Sequence, residues 1–324
     1  VRVITNVGRP LPSPARVRPP ERPPLRVGAV QLPWDPDPEV HRAAIAEGIA
    51  LAAAEGAAIV CLQELTLSPY FASVRRDDLG DAAPAPEPLE DGPTLALARE
   101  LAVLHGVAVH ASLYEADPAI APRGWNTAIC VSADGRLLAR TRKVHIPVTE
   151  GYYEDTFFPG SADADAYPIV DVAGAAFGLP TCWDQWFPEL ARIYSLRGAE
   201  VLVYPTAIGS EPGHPDFDTQ PLWQHVIVGN GITTGTHMVA VNRIGTERVT
   251  PDAPEITFYG SSFISDPYGR VLVQAPRDEP AVLVADLDLA ARDDWLTLFP
   301  FDTTRRPDTY GRLTTDEPPA PRQR

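Results

Sequence analysis

The sequence predicts an α/β domain whose sheets are covered by helices, on three observations. Apolar strand-like runs alternate with helical segments across residues 26–314. Apolar residues make up 44% of the 324-residue chain and aromatics 8%, enough to fill a sizeable core. No long linker interrupts the span, so it reads as one domain between two tails, 1–25 and 315–324.

The elements follow in order. Residues 1–25 hold seven prolines, five arginines and one glutamate, a composition that predicts a flexible tail. Residues 26–31 (RVGAVQ) read as a strand. Val40, Ala44, Ile45, Ile49 and Ala52 keep helical spacing over 38–55. The short apolar run 58–62 is a strand that ends at Gln63-Glu64. A second helix spans 93–105, with Pro93 near its start and Gly106 at its end. Strands follow at 107–112, 126–132 and 136–142, the last two joined by Asp134-Gly135, a hairpin signal. Further strands are predicted at 175–179, 200–204, 238–242, 258–265, 270–274 and 281–286, and helices at 187–197, 219–232 and 288–297.

Composition excludes several classes. The formal net charge is −16, so general nucleic-acid binding, which needs a basic surface, is not expected. No run approaches the roughly 20 apolar residues of a membrane span, and none of signal-peptide length opens the chain. Cys61, Cys130 and Cys182 are an odd number at wide spacing, without a CxxC. That pattern fits a reducing compartment, so the expected location is cytoplasmic. The seven histidines are scattered and form no HExxH, and there is no GxGxxG or P-loop, so neither a metal nor a cofactor is expected.

The basic residues are 26 arginines and a single lysine, Lys143. A coding bias that replaces lysine wherever a positive charge suffices leaves a lysine only where a compact point charge is needed. Lys143 closes a predicted strand, as Glu64 does. Cys182 lies in GLPTCWDQWFPE, where a strand meets a turn before a helix predicted to start near Phe187. A thiol at such a junction stands exposed above the sheet, and the helix start favours a thiolate and an oxyanion. A nucleophilic cysteine needs a base, and Glu64 is the carboxylate at a strand end, where α/β sites gather. Sequence spacing alone does not bring 64, 143 and 182 together.

These residues carry a resemblance. QEL at 63–65, RKVHIP at 142–147 and CWDQWFPELAR at 182–192 resemble the three motifs of the nitrilase superfamily of carbon–nitrogen hydrolases. GYYE (151–154), YPTAIGSEP (204–212), NRIG (242–245), ITFYGSSFISDPYG (256–269) and RRPDTYGRL (305–313) resemble its N-carbamoylputrescine amidase branch. The resemblance implies a four-layer α-β-β-α sandwich and a homo-oligomer built from dimers. It implies Glu64 as general base, Lys143 as oxyanion-stabilising lysine, Cys182 as nucleophile and Glu154 as a second glutamate orienting substrate and lysine. The Trp183 N–H would be the other oxyanion donor, and no cofactor is needed. Lys143 is expected to lower the thiol pKa from its usual value of about 8.5.

The substrate is read from charge. The stretch after Cys182 is Trp183-Asp184-Gln185-Trp186, without the arginine that relatives acting on N-carbamoyl amino acids carry there. An acidic, aromatic mouth suits an amine, with Glu211 a further candidate acid. Trp183, Tyr70, Asp184 and Glu211 make up the expected substrate-binding set. The expected activity is cleavage of a carbamoyl or amide C–N bond in a small molecule, with release of ammonia. The alternatives are an amidase for another small amide or N-carbamoyl acid, and an inactive member serving as a binding or assembly protein.

Overall fold

Side chains alternate across a strand. In β2 (Leu25–Gln31), Leu25, Val27 and Ala29 enter one apolar layer while Val30 enters another, so this strand is buried on both faces. A computed structural model describes residues 1–8, 10–162 and 166–315. The chain runs β1 (Arg2–Asn6), β2, α1 (Pro38–Ala54), β3 (Ile59–Cys61), α2 (Arg76–Leu79), α3 (Pro93–His105), β4 (Ala108–Ala116), β5 (Gly124–Val131) and β6 (Leu137–Arg142). A short pair follows, β7 (Val148–Thr149) and β8 (Tyr152–Tyr153), then β9 (Ile169–Val172), β10 (Ala175–Gly178), α4 (Pro188–Leu196), β11 (Val201–Pro205), α5 (Gln220–Thr234) and β12 (His237–Val241). The chain continues through β13 (Ile244–Glu247), β14 (Ile256–Tyr259), β15 (Phe263–Ser265), β16 (Val271–Gln274), β17 (Ala281–Leu287) and α6 (Ala290–Leu298).

Two sheets face one another. The first has the order β1-β17-β2-β3-β4-β5-β6 and the second β16-β15-β12-β11-β10-β9. Val27, Ile59 and Leu283 of the first meet Phe177, Val203 and Ile264 of the second in the layer between them. Ile45 and Ile49 of α1 and Leu101 of α3 cover the outer face of the first sheet. Leu190 and Tyr194 of α4 and Trp223 and Ile227 of α5 cover the second. The result is the expected four-layer α-β-β-α sandwich. Strands β2, β3 and β4 run parallel, as do β10, β11 and β12, and the segments after β3, β6 and β10 carry Glu64, Lys143 and Cys182.

Three expectations are corrected. The run 258–265 is not one strand: Gly260 and Ser261 take φ of 49° and 57°, and this bend divides β14 from β15. The segment 1–25 is not a free tail. Its first residues form β1, which pairs in parallel with β17 from Arg2↔Ala281 to Asn6↔Ala285. Prolines remove backbone donors from the rest, and arginine side chains hold it instead. Arg16 lies 2.7 Å from Asp288 and 2.8 Å from Asp294, and Arg22 reaches Glu200 and the Gly174 carbonyl. Arg270 donates to the Pro12 carbonyl at 3.0 Å. Finally, the Cys182 thiol does not stand exposed: the residue is buried at the start of a short 3-10 turn, Cys182–Trp186, and the helix beyond it starts at Pro188 with Phe187 as its cap, where it was expected. Of the expected tail 315–324, residues 316–324 lie outside the described residues.

Candidate active site

The structure brings Glu64, Lys143, Glu154 and Cys182 into one electrostatically coupled cluster, all buried. Lys143 Nζ donates to Glu64 Oε1 at 2.9 Å and to Glu154 Oε2 at 2.7 Å. Two of the three ammonium protons are thereby used. Glu64 Oε1 also accepts from Asn126 Nδ2 at 2.8 Å, while Glu64 Oε2 is buried without a hydrogen-bond partner among the described residues. Tyr70 Oη donates to Glu154 Oε1 at 3.0 Å.

Local backbone explains the placement. Lys143 continues from β6, and its N–H donates to the Asn126 carbonyl of β5 at 2.8 Å. Cys182 has a φ of 41°, in the left-handed region that costs a side chain. Asp184 closes that turn, accepting the Thr181 N–H on its carboxylate at 3.1 Å while its own N–H donates to the Thr181 carbonyl at 3.0 Å. Asp184 also accepts from the His145 N–H at 2.9 Å and lies 2.8 Å from His145 Nδ1, so it ties the lysine segment to the cysteine turn. The His145 ring stacks on Phe187 with centroids 3.6 Å apart.

Electrostatics correct one expectation. Burial, reinforced by Glu64, raises the Cys182 thiol well above the usual range, and Lys143 opposes this without reversing it. A thiol raised in this way depends on a neighbouring base to lose its proton. Burial disfavours the Lys143 ammonium, but Glu154 and Glu64 outweigh it and hold the pKa well above its usual value. Burial pushes the Glu154 carboxyl up to about 7 against the pull of Lys143.

The substrate-binding set is divided. Trp183 is partly exposed, its ring 6.1 Å from that of Trp186. Tyr70 is buried, with its hydroxyl on Glu154. Asp184 does not line an acidic mouth: it is 1% exposed, and backbone donors together with His145 occupy its carboxylate. Glu211 is half-buried beside Tyr152 and Tyr259, both of which feel its charge and that of Cys182. Burial raises the Glu211 carboxyl. Sequence reasoning missed Asn126, Glu247 and the Ala207 backbone, whose polarity favours the Cys182 thiolate. None carries a local signal, because each meets the site only through contacts between residues far apart in sequence. Among the described residues no group of three or more His, Cys, Asp or Glu could hold a metal ion.

Comparisons with known proteins fit this geometry. The family model for carbon–nitrogen hydrolase matches residues 26–296. A citrullinase from Francisella tularensis subsp. tularensis is 35% identical, over 89% of this chain and 98% of that protein. An N-carbamoylputrescine amidase from Arabidopsis thaliana is 38% identical, over 89% of this chain and 95% of its own. The solved structure of a carbon–nitrogen hydrolase from Helicobacter pylori G27 superposes with a TM-score of 0.80 at 31% identity, covering 90% of this chain and 99% of that one. With a matching model over most of its length and buried carboxylates sharing its one lysine beside a strained cysteine, this chain belongs to the carbon–nitrogen hydrolase family.

Proposed function

We propose that this enzyme is a thiol amidohydrolase for an N-carbamoyl amine, with N-carbamoylputrescine the preferred substrate and residues 26–314 its catalytic unit. The observation that carries the reading is the Lys143 ammonium bridging Glu64 and Glu154, which leaves Glu64 Oε2 without a hydrogen bond in the buried cluster whose charges act on the Cys182 thiol. Glu64 Oε2 takes the Cys182 proton as sulfur attacks the carbamoyl carbon. The third Lys143 proton and the first-turn N–H of Trp183, which has no intrahelical acceptor, face the oxyanion. Glu64 returns the proton to the leaving nitrogen, the C–N bond breaks and ammonia departs. Water, deprotonated by Glu64, then attacks the thioester-type intermediate. The C–S bond breaks, the sulfur regains a proton, and the released carbamic acid loses carbon dioxide to give the amine.

Glu211 supports an amine at the far end, since a cation would relieve a carboxylate that burial disfavours. Arg243 does not favour a substrate carboxylate, because it is buried, its charge is paired with Glu247 and its Nη2 donates to three backbone carbonyls, with only Nε unpartnered among the described residues. The exposed Leu196, Leu298, Phe299 and Leu313 support a homo-oligomer built from dimers. Three free cysteines support a reducing, cytoplasmic setting. No helix among the described residues is long and apolar enough to cross a membrane.

The test is ammonia release from N-carbamoylputrescine, citrulline and N-carbamoyl-β-alanine at one pH. A preference of at least about 100-fold in kcat/KM for the amine, about 2.7 kcal/mol, is expected, and Glu211→Gln should erode it. Equal or better use of citrulline would overturn the amine preference. It would direct attention to Arg75, stacked 4.8 Å over the Tyr153 ring.

A further inference from the structure

Arg243 is fully buried, at 0% exposure, on the segment between β12 and β13. Its Nη1 donates to Glu247 Oε1 at 2.7 Å. Its Nη2 donates to the carbonyls of Glu64, Leu65 and Ser68 at 2.9, 3.2 and 3.0 Å. The other oxygen of Glu247 accepts the Tyr70 N–H at 2.7 Å. One ion pair therefore grips both ends of the segment 64–70. That segment carries one group on Lys143 directly and one through a neighbour: the Glu64 carboxylate accepts from Nζ, and the Tyr70 hydroxyl donates to Glu154, which also accepts from Nζ. Leu65, between them, holds a φ of 49°, a left-handed conformation that costs a side-chain-bearing residue and persists where the surrounding structure holds it.

We propose that Arg243 and Glu247 are positioning residues for the hydrolysis, setting both carboxylates on the lysine through the backbone of residues 64–70. A buried ion pair is weak evidence of stabilisation. A guanidinium, however, presents fixed donors that can hold several carbonyls in one geometry, which an ammonium cannot do. Glu64 Oε2 must meet the thiol proton within hydrogen-bond reach, and displacements of an ångström are costly in rate. The inference rests on reading Glu64 as the base.

The experiment uses the full chain with Glu247→Gln, Arg243→Lys and the double variant. Thermal midpoint, kcat and KM for N-carbamoylputrescine, and the rate of Cys182 alkylation by iodoacetamide are measured. Folded Glu247→Gln should lose at least about tenfold in kcat with KM changed less than about threefold. The double variant should be no worse than Arg243→Lys alone, because the two act as one unit. If Glu247→Gln does not fold, Glu247→Asp, which keeps the charge on a shorter arm, serves in its place. A merely structural role moves the midpoint but not the kcat of the folded fraction, and a kcat within about twofold of the unsubstituted enzyme would overturn the proposal. If the unsubstituted enzyme turns over no substrate of the panel, the functional reading fails, and alkylation still judges the clamp. Alkylation slowed at least about fivefold in the variants supports it, and an unchanged rate overturns it.

Discussion

At Lys143 a lysine and an arginine differ by geometry more than by charge. Nζ sits between two carboxylates at 2.9 and 2.7 Å with one proton to spare. A guanidinium placed there would spread its donors in a plane wider than that gap. Lys143→Arg should therefore lose at least about 100-fold in kcat, the scale of one oxyanion donor. Steady-state ammonia release checks it, and near-normal turnover would mean that a generic positive charge suffices. Lys143 was legible because one lysine among 26 arginines stands out. The Cys182 thiol was misread, because burial sets its pKa and burial has no local signature. Asp184 was misread for the same reason: a carboxylate next to a nucleophile looks like a mouth acid until its backbone donors are seen.

Among elements, periodicity located the strands and helices of both layers, since β2, α1, α3 and β17 each show an apolar pattern in their own residues. β1 was hidden because its pattern of burial is shallow and its partner, β17, lies about 280 residues away. The segment that follows is fastened by arginine–aspartate pairs across the sandwich, which a composition rich in proline conceals. Removing residues 1–24 should lower the thermal midpoint, as it strips the β17 edge and strands Asp288 and Asp294. About 2–4 °C is expected for each kcal/mol lost. The kcat of the folded remainder should hold, because the described residues of this segment make their bonds and ion pairs to Leu272, Asp286, Asp288, Asp294, Tyr268, Arg270 and Glu200, away from Lys143. An unchanged midpoint by calorimetry would restore the free tail.

For the molecule as a whole, acid is the predicted weakness. His110 and His237 are buried with both ring nitrogens unpartnered among the described residues. Burial pushes their pKa values from 6.5 down to about 3 and about 4. Below 6.5 the unfolded chain binds protons there that the folded chain refuses, so stability is full above that pH and drains as pH falls towards 3. Urea midpoints at pH 7 and pH 5 check this: the drop should be smaller in His110→Gln, and an equal drop would place the acid sensitivity elsewhere. The same whole-chain view returns to the solitary lysine, buried between its two carboxylates. Protein grown on lysine carrying nitrogen-15 at the side chain would give a magnetic resonance spectrum with a single ammonium line. That line would come from the centre of the candidate site, needing no assignment and free of any surface background. It would report directly on every ligand that enters.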